Sequence, residues 1–259
     1  MSSSAPTAIE SAHSSESQPV SISKLKWLIC LLIAGCGTWY GFAYPPIKFE
    51  VPKELRNVDP NSPPKLRNQR AVVDAEIHWK SVAVQFGWGG LFFGTVGLTS
   101  TLLSGNKRFG IAIATLLLGV ASGVGGGLTG AWLRQYFDKS NPLTFLSEDM
   151  RPLVSDAIVY SAAGILLLLP VGFVLLFSRQ ADARQKSTSA ILSGLLSGLL
   201  APIAVALGIA FALIPSEQTT DHFPPATIPM ISIWVALLVL FCFVASTQVG
   251  ARSKKAATP

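Results

Sequence analysis

The chain has 259 residues, half of them hydrophobic and only 13% charged, with a net charge of +6 and a mean hydropathy of +0.48. A soluble domain carries about 25% charged residues, so this composition excludes an ordinary water-soluble globule and requires surface that faces lipid. The surplus of Lys and Arg fits loops on the cytoplasmic side of a membrane, and no basic run is interleaved with aromatics as a single-strand binder needs, which sets nucleic acid aside as a partner.

Taken in chain order, residues 1–23 are Ser-rich with few bulky apolar groups, and are expected to form a disordered cytoplasmic tail. Beyond them, six stretches contain no Asp, Glu, Lys or Arg: 27–47, 81–106, 109–133, 157–178, 187–216 and 222–251. Each is long enough for a spanning helix, which needs about 20 apolar residues; barrel strands would be about ten residues long and alternating. The reading is an all-α, polytopic helical membrane protein of about six transmembrane helices and no soluble domain. The spans are predicted near 26–44, 82–104, 109–132, 155–178, 190–214 and 229–250, within a transmembrane domain of 24–252.

Lys24 and Lys26 ahead of the first span, with Gly41 and Ala43 at its end, also resemble a cleavable signal peptide. The long preceding tail and the adjacent Pro45 and Pro46 weigh against cleavage. The loop 45–80 holds six prolines within 45–67 and reads as extended, turning helical from about Asn68. That helix is expected to run into span two or to lie on the membrane surface. Pro170 and Pro202 fall inside spans four and five, where they are expected to bend the helix. Trp27, Trp39, Tyr40, Trp88, Trp132, Tyr136, Tyr160 and Trp234 lie mostly near span ends, where such rings favour the headgroup layer. Cys30, Cys36 and Cys242 read as small buried hydrophobes. Residues 253–259 form a basic tail.

Orientation follows from the short loops. With the N-terminus inside, Lys24, Lys26, Lys107, Arg108, Arg179, Arg184, Lys186, Arg252, Lys254 and Lys255 are internal. Only Arg134, Lys139 and Arg151 are then external, apart from the long first loop. Both termini are therefore expected to be cytoplasmic, in the cell (inner) membrane.

Glycine is the distinctive pattern. Twelve of 22 glycines fall in spans two and three. Gly119, Gly123 and Gly127 recur every fourth residue and so share a helix face, as do Gly126 and Gly130. A short connection, 104–108, makes spans two and three antiparallel neighbours. The expected helix-packing residues are Gly90, Gly94, Gly119, Gly123, Gly127 and Gly130, because glycine lets backbones approach where lipid supplies no hydrophobic drive. Ser193, Gly194, Ser197, Gly198 and Ala201 repeat the theme in span five.

Chemistry at depth needs ionisable groups, and the span centres hold none. There is no His-Glu-x-x-His helix, and His13, His78 and His222 lie outside the span centres. Neither a catalytic residue, nor a metal ligand set, nor a cofactor is assigned. Asp74, Glu76 and His78 before span two, with Glu217, Asp221 and His222 in the last loop, form a weak outer-face constellation whose plain reading is a solvated interface. Asp156 reads as a helix N-terminal carboxylate. The favoured function is a non-enzymatic membrane component, its partners the lipid bilayer and either a second copy or another membrane protein. A passive channel or transporter for a small neutral solute is the alternative, and a membrane-embedded enzyme is third.

Overall fold

The computed structural model describes residues 24–104, 109–148, 150–177, 183–210, 223 and 228–256. The predicted tail 1–23 and the turn 105–108 lie outside the described residues. Eight helices occur among those described: α1 Lys24–Ala43, α2 Lys53–Arg56, α3 Pro64–Ser104, α4 Phe109–Ser140, α5 Met150–Leu167, α6 Leu169–Phe177, α7 Ala183–Ala210 and α8 Ile228–Ala256. Five are long and apolar enough to cross a membrane: α1, α3, α4, α5 and α8. The chain is thus an all-helical protein of the membrane class. α7, at 28 residues, is a further long helix.

The helices close into a ring. α1 packs on α3, α3 on α4, α4 on α5, α5 and α6 on α7, α7 on α8, and α8 back on α1. Neighbours in sequence run antiparallel, as the order of their contacts shows. Gly37 faces Phe92 while Gly41 faces Trp88 across α1 and α3, and Gly164 faces Gly194 while Ser161 faces Gly198 across α5 and α7. Up-and-down order of this kind is the usual topology of helical bundles. One end of the bundle carries the connection 44–63 and is called the first-loop end below. The interior is filled by Leu31, Phe86, Phe93, Leu167, Leu168 and Leu238, all fully buried.

Among the described residues Pro170 marks the one break between consecutive helices without an intervening loop. α5 ends at Leu167 and α6 begins at Leu169. Pro170 has no N–H to give to the carbonyl four residues back, and its ring crowds that turn. Helical bonds resume on either side, Leu168 N–H to the Gly164 oxygen and Gly172 N–H to the Leu168 oxygen, each 3.1 Å. The helical backbone of α7, by contrast, passes through Pro202 without interruption.

Two expectations change. α3 begins at Pro64, before the predicted helical onset at Asn68, and continues without a break into the span. Proline is favoured in a first turn, where its missing N–H has no intrahelical partner to lose. Cys36 is exposed, while Cys30 and Cys242 are buried. Cys30, Ala34 and Thr38 share the inward face of α1 at helical spacing; Cys36 lies on the opposite, outward face.

Candidate functional site

The closest helix contact is the α3–α4 seam. A Cβ on Gly90 would collide with the Gly119 carbonyl oxygen, and one on Gly94 would lie 2.7 Å from the Thr115 oxygen and 2.9 Å from Leu116 Cα. Reciprocally, a Cβ on Gly119 would meet the Gly90 oxygen and lie 2.9 Å from Gly94 Cα. On Gly123 it would meet the Phe86 oxygen and lie 2.9 Å from Gly90 Cα. No residue but glycine leaves room for backbones at such range. Gly127 faces the Phe86 ring instead, with its Cβ position 2.7 Å from Phe86 Cβ. Gly130 does not join the seam at all: its bare backbone abuts the ring of Phe223. Gly126 turns toward α5, 3.1 Å from the Ala163 oxygen by the same measure. α4 thus uses separate glycine faces against separate neighbours.

A second seam joins α5 to α7. A Cβ on Gly194 would stand 2.8 Å from the Ile165 nitrogen, and one on Gly198 would collide with the backbone of Ser161. The Ser161 hydroxyl donates across the seam to the Leu195 carbonyl at 3.2 Å. Between α1 and α3 the Thr38 hydroxyl donates to the Gly89 oxygen at 3.1 Å, and between α1 and α8 Trp39 Nε1 donates to Ser232 Oγ at 2.8 Å. Each of these contacts gives a hydroxyl or indole N–H a partner that lipid would not offer.

Toward the first-loop end five aromatic rings meet from different elements. Phe42 of α1 sits edge-on to Phe86 of α3, with centroids 4.8 Å apart. Phe223, from the connection before α8, stacks on Phe86 at 5.2 Å and 28°. Tyr160 of α5 contacts Phe223 at 5.7 Å and Trp234 of α8 at 5.6 Å. Such offset and edge-on pairs add to the area they bury. Tyr160, Phe223 and Trp234 are all buried. Tyr160, Trp234 and the buried Trp27 therefore serve the interior rather than the lipid headgroup layer where the sequence placed them. Among the described residues Trp234 Nε1 finds no hydrogen-bond partner.

Beside this cluster lies the charged feature that sequence reasoning missed. Arg134 Nη1 of α4 donates to Asp156 Oδ1 of α5, with the two side chains only 13% and 10% exposed. Arg134 Nε also lies 3.4 Å from Asp138 Oδ1, one turn on. Asp156 stands six residues inside α5, whose first turn from Met150 holds no acidic residue, so it is not the helix N-terminal carboxylate expected, and Arg134 is not a free loop cation. One signal was readable, that both residues flank the same connection; only the structure shows that α4 extends beyond the predicted 132 to Ser140, which brings Arg134 into a helix. The span centres remain without charged residues, since this pair sits toward the first-loop end.

The weak constellation does not assemble among the described residues. Asp74, Glu76 and His78 are exposed on α3. Asp74 pairs with Arg70 at 2.7 Å and Glu76 with Lys80 at 2.6 Å. The hydrogen bond and positive charge of Lys80 hold the Glu76 carboxyl below its ordinary value. The His78 ring stands edge-on to Trp79. Glu217, Asp221 and His222 lie outside the described residues. No group of three His, Cys, Asp or Glu gathers among those described. What the geometry offers is close packing, a buried charge clasp and an aromatic cluster. No family model, curated protein or solved structure matches this chain.

Proposed function

We propose that this protein is a non-enzymatic structural component of a membrane, one that acts by associating with a second copy or with another membrane protein. The observation that carries this reading is the filled interior. A passage for solute needs a path between helices, and here glycine backbones meet at Gly90 and Gly119 while Phe86, Phe93 and Leu238 occupy the centre. The glycine columns are spent on contacts inside one chain, so association uses the lipid-facing surface instead. Lys24, Lys26, Arg184 and Lys186 cluster at the end opposite the first loop, which supports both termini facing the cytoplasm of the cell (inner) membrane.

The test pairs a mass measurement with a flux measurement. Protein extracted in native nanodiscs should run above the 27.5 kDa of one chain, alone or with a co-purifying protein. Proteoliposomes should swell no faster in glycerol than empty vesicles. A strict monomer that accelerates glycerol entry overturns the reading in favour of a channel.

A further inference from the structure

We propose that the bilayer surface on the first-loop side meets this protein at the level of Tyr40, Tyr44, Trp132 and Tyr136, so that residues 64–78 of α3 stand in water as a rigid post. The inference rests on the membrane reading and adds to it where the lipid stops.

Two aromatic pairs mark that level. Tyr40 on α1 and Tyr44 just past its end lie 5.4 Å apart, and Trp132 and Tyr136 stack 5.8 Å apart at 16° on α4. All four are exposed, and exposed Trp and Tyr settle where lipid headgroups begin. Below them the outward surface is aliphatic, with Ile33, Leu117, Leu128, Leu195 and Leu240 exposed. The opposite end presents exposed Lys24, Lys26 and Arg184. From Lys26 to Tyr44 a helix rises roughly 27 Å at 1.5 Å per residue, close to the hydrocarbon thickness of about 30 Å.

α3 overshoots this band. Its 41 residues make a helix roughly 60 Å long, twice the hydrocarbon thickness. Phe86 packs on Gly127, so the antiparallel register sets Trp132 level with α3 near residue 80. The 15 residues before 79 then project by roughly 22 Å. They carry Lys65, Arg67, Arg70, Asp74 and Glu76, charges that hydrocarbon would not accept. Nor can the segment lie along the surface. Helices bend sharply at Pro, Gly or a π-bulge, and α3 has neither Pro nor Gly between Pro64 and Gly87. The post is braced locally. The Arg70–Asp74 and Glu76–Lys80 pairs run along it, and Arg70 Nη1 donates to the Leu55 carbonyl at 2.6 Å, drawing the first loop against its side.

The chain supplies its own control, since Cys36 is exposed on α1 within the aliphatic band while Cys30 and Cys242 are buried. N-ethylmaleimide crosses bilayers but reacts with thiols only where water ionises them. The full-length protein in phosphatidylcholine vesicles is treated with it as wild type and as two variants, Val72→Cys and Glu76→Cys, each in a Cys36→Ser background. Both introduced thiols should react at least tenfold faster than native Cys36, and the difference should vanish in sodium dodecyl sulfate. Protection of both positions to the level of Cys36 overturns the placement, as does reaction of Cys36 at their rate. Alkaline carbonate extraction is read separately. Release of the protein defeats the membrane reading itself, whereas retention with both introduced thiols protected defeats only the post.

Discussion

Arg134 on α4 and Asp156 on α5 are 22 positions apart in sequence and share a hydrogen-bonded ion pair that is almost closed to solvent. The pair spans the α4–α5 connection and ties the two helices where the loop between them begins. Its surroundings decide its worth: with little water to screen it, loss of one partner strands the other.

Arg134→Ala and Asp156→Ala are each expected to destabilise the bundle by about 3–5 kcal/mol, the cost of leaving one buried charge uncompensated. Thermal unfolding in detergent, followed by circular dichroism, measures this. The double variant, Arg134→Ala with Asp156→Ala, should lose less than the sum of the two single losses. Additive losses in the double variant would show that the two residues do not act as a pair.

Two glycines on the same helix should respond oppositely to a larger side chain. A Cβ on Gly123 meets the Phe86 oxygen and Gly90 Cα, whereas one on Gly125 meets nothing within 4 Å. Gly123→Leu should therefore separate α3 from α4 and lower the yield of folded protein, an overpacking cost of at least about 3 kcal/mol. Gly125→Ala should be neutral or stabilise by up to about 1 kcal/mol, because alanine lowers the conformational freedom lost on folding. Fluorescence-detected size exclusion of the two variants distinguishes these outcomes.

Phe223 closes the aromatic cluster by stacking on Phe86 and contacting Tyr160. Phe223→Ala is expected to cost on the order of 3 kcal/mol, as removal of a buried ring usually does. Gly130→Ala attacks the same contact from the opposite side, because its new methyl group would enter the space of the Phe223 ring. A heat-stability curve for each single variant and for the pair gives the coupling. Less-than-additive loss is expected, since the smaller ring site leaves room for the added methyl.

Glu76 provides a titration that reports on the post. Lys80 holds its carboxyl below the ordinary value by hydrogen bond and charge. A depressed folded-state value means that the pair supports the helix above the unfolded carboxyl pKa and ceases to do so as pH falls through the lower folded value. Carbon-13 titration of the Glu76 carboxyl should find its midpoint below that of a free glutamate. In Lys80→Gln the midpoint should climb back toward the ordinary value. An unchanged midpoint would show that the i,i+4 pair does not form in solution.

Much of this architecture is a property of single helices and was legible from the chain. Six charge-free stretches point to apolar helices, since a helix satisfies its own backbone groups where lipid cannot, and five helices long and apolar enough to cross occur among the described residues; the four-residue repeat of Gly119 and Gly123 puts them on one face. The break beside Pro170 agrees with local chemistry, but α7 runs through Pro202 without one, so proline alone does not decide it. What the sequence could not set is the rotation of each helix about its axis. A span apolar on every side has no polar stripe to say which face turns inward. Packing alone sends Cys36 outward and Cys30 inward, turns Gly130 to Phe223 rather than to α3, and gathers Phe42, Phe86, Tyr160 and Trp234 into one cluster. The same packing brings Arg134 to Asp156, a meeting of two charges that depends on how α4 and α5 lie together and on nothing local to either.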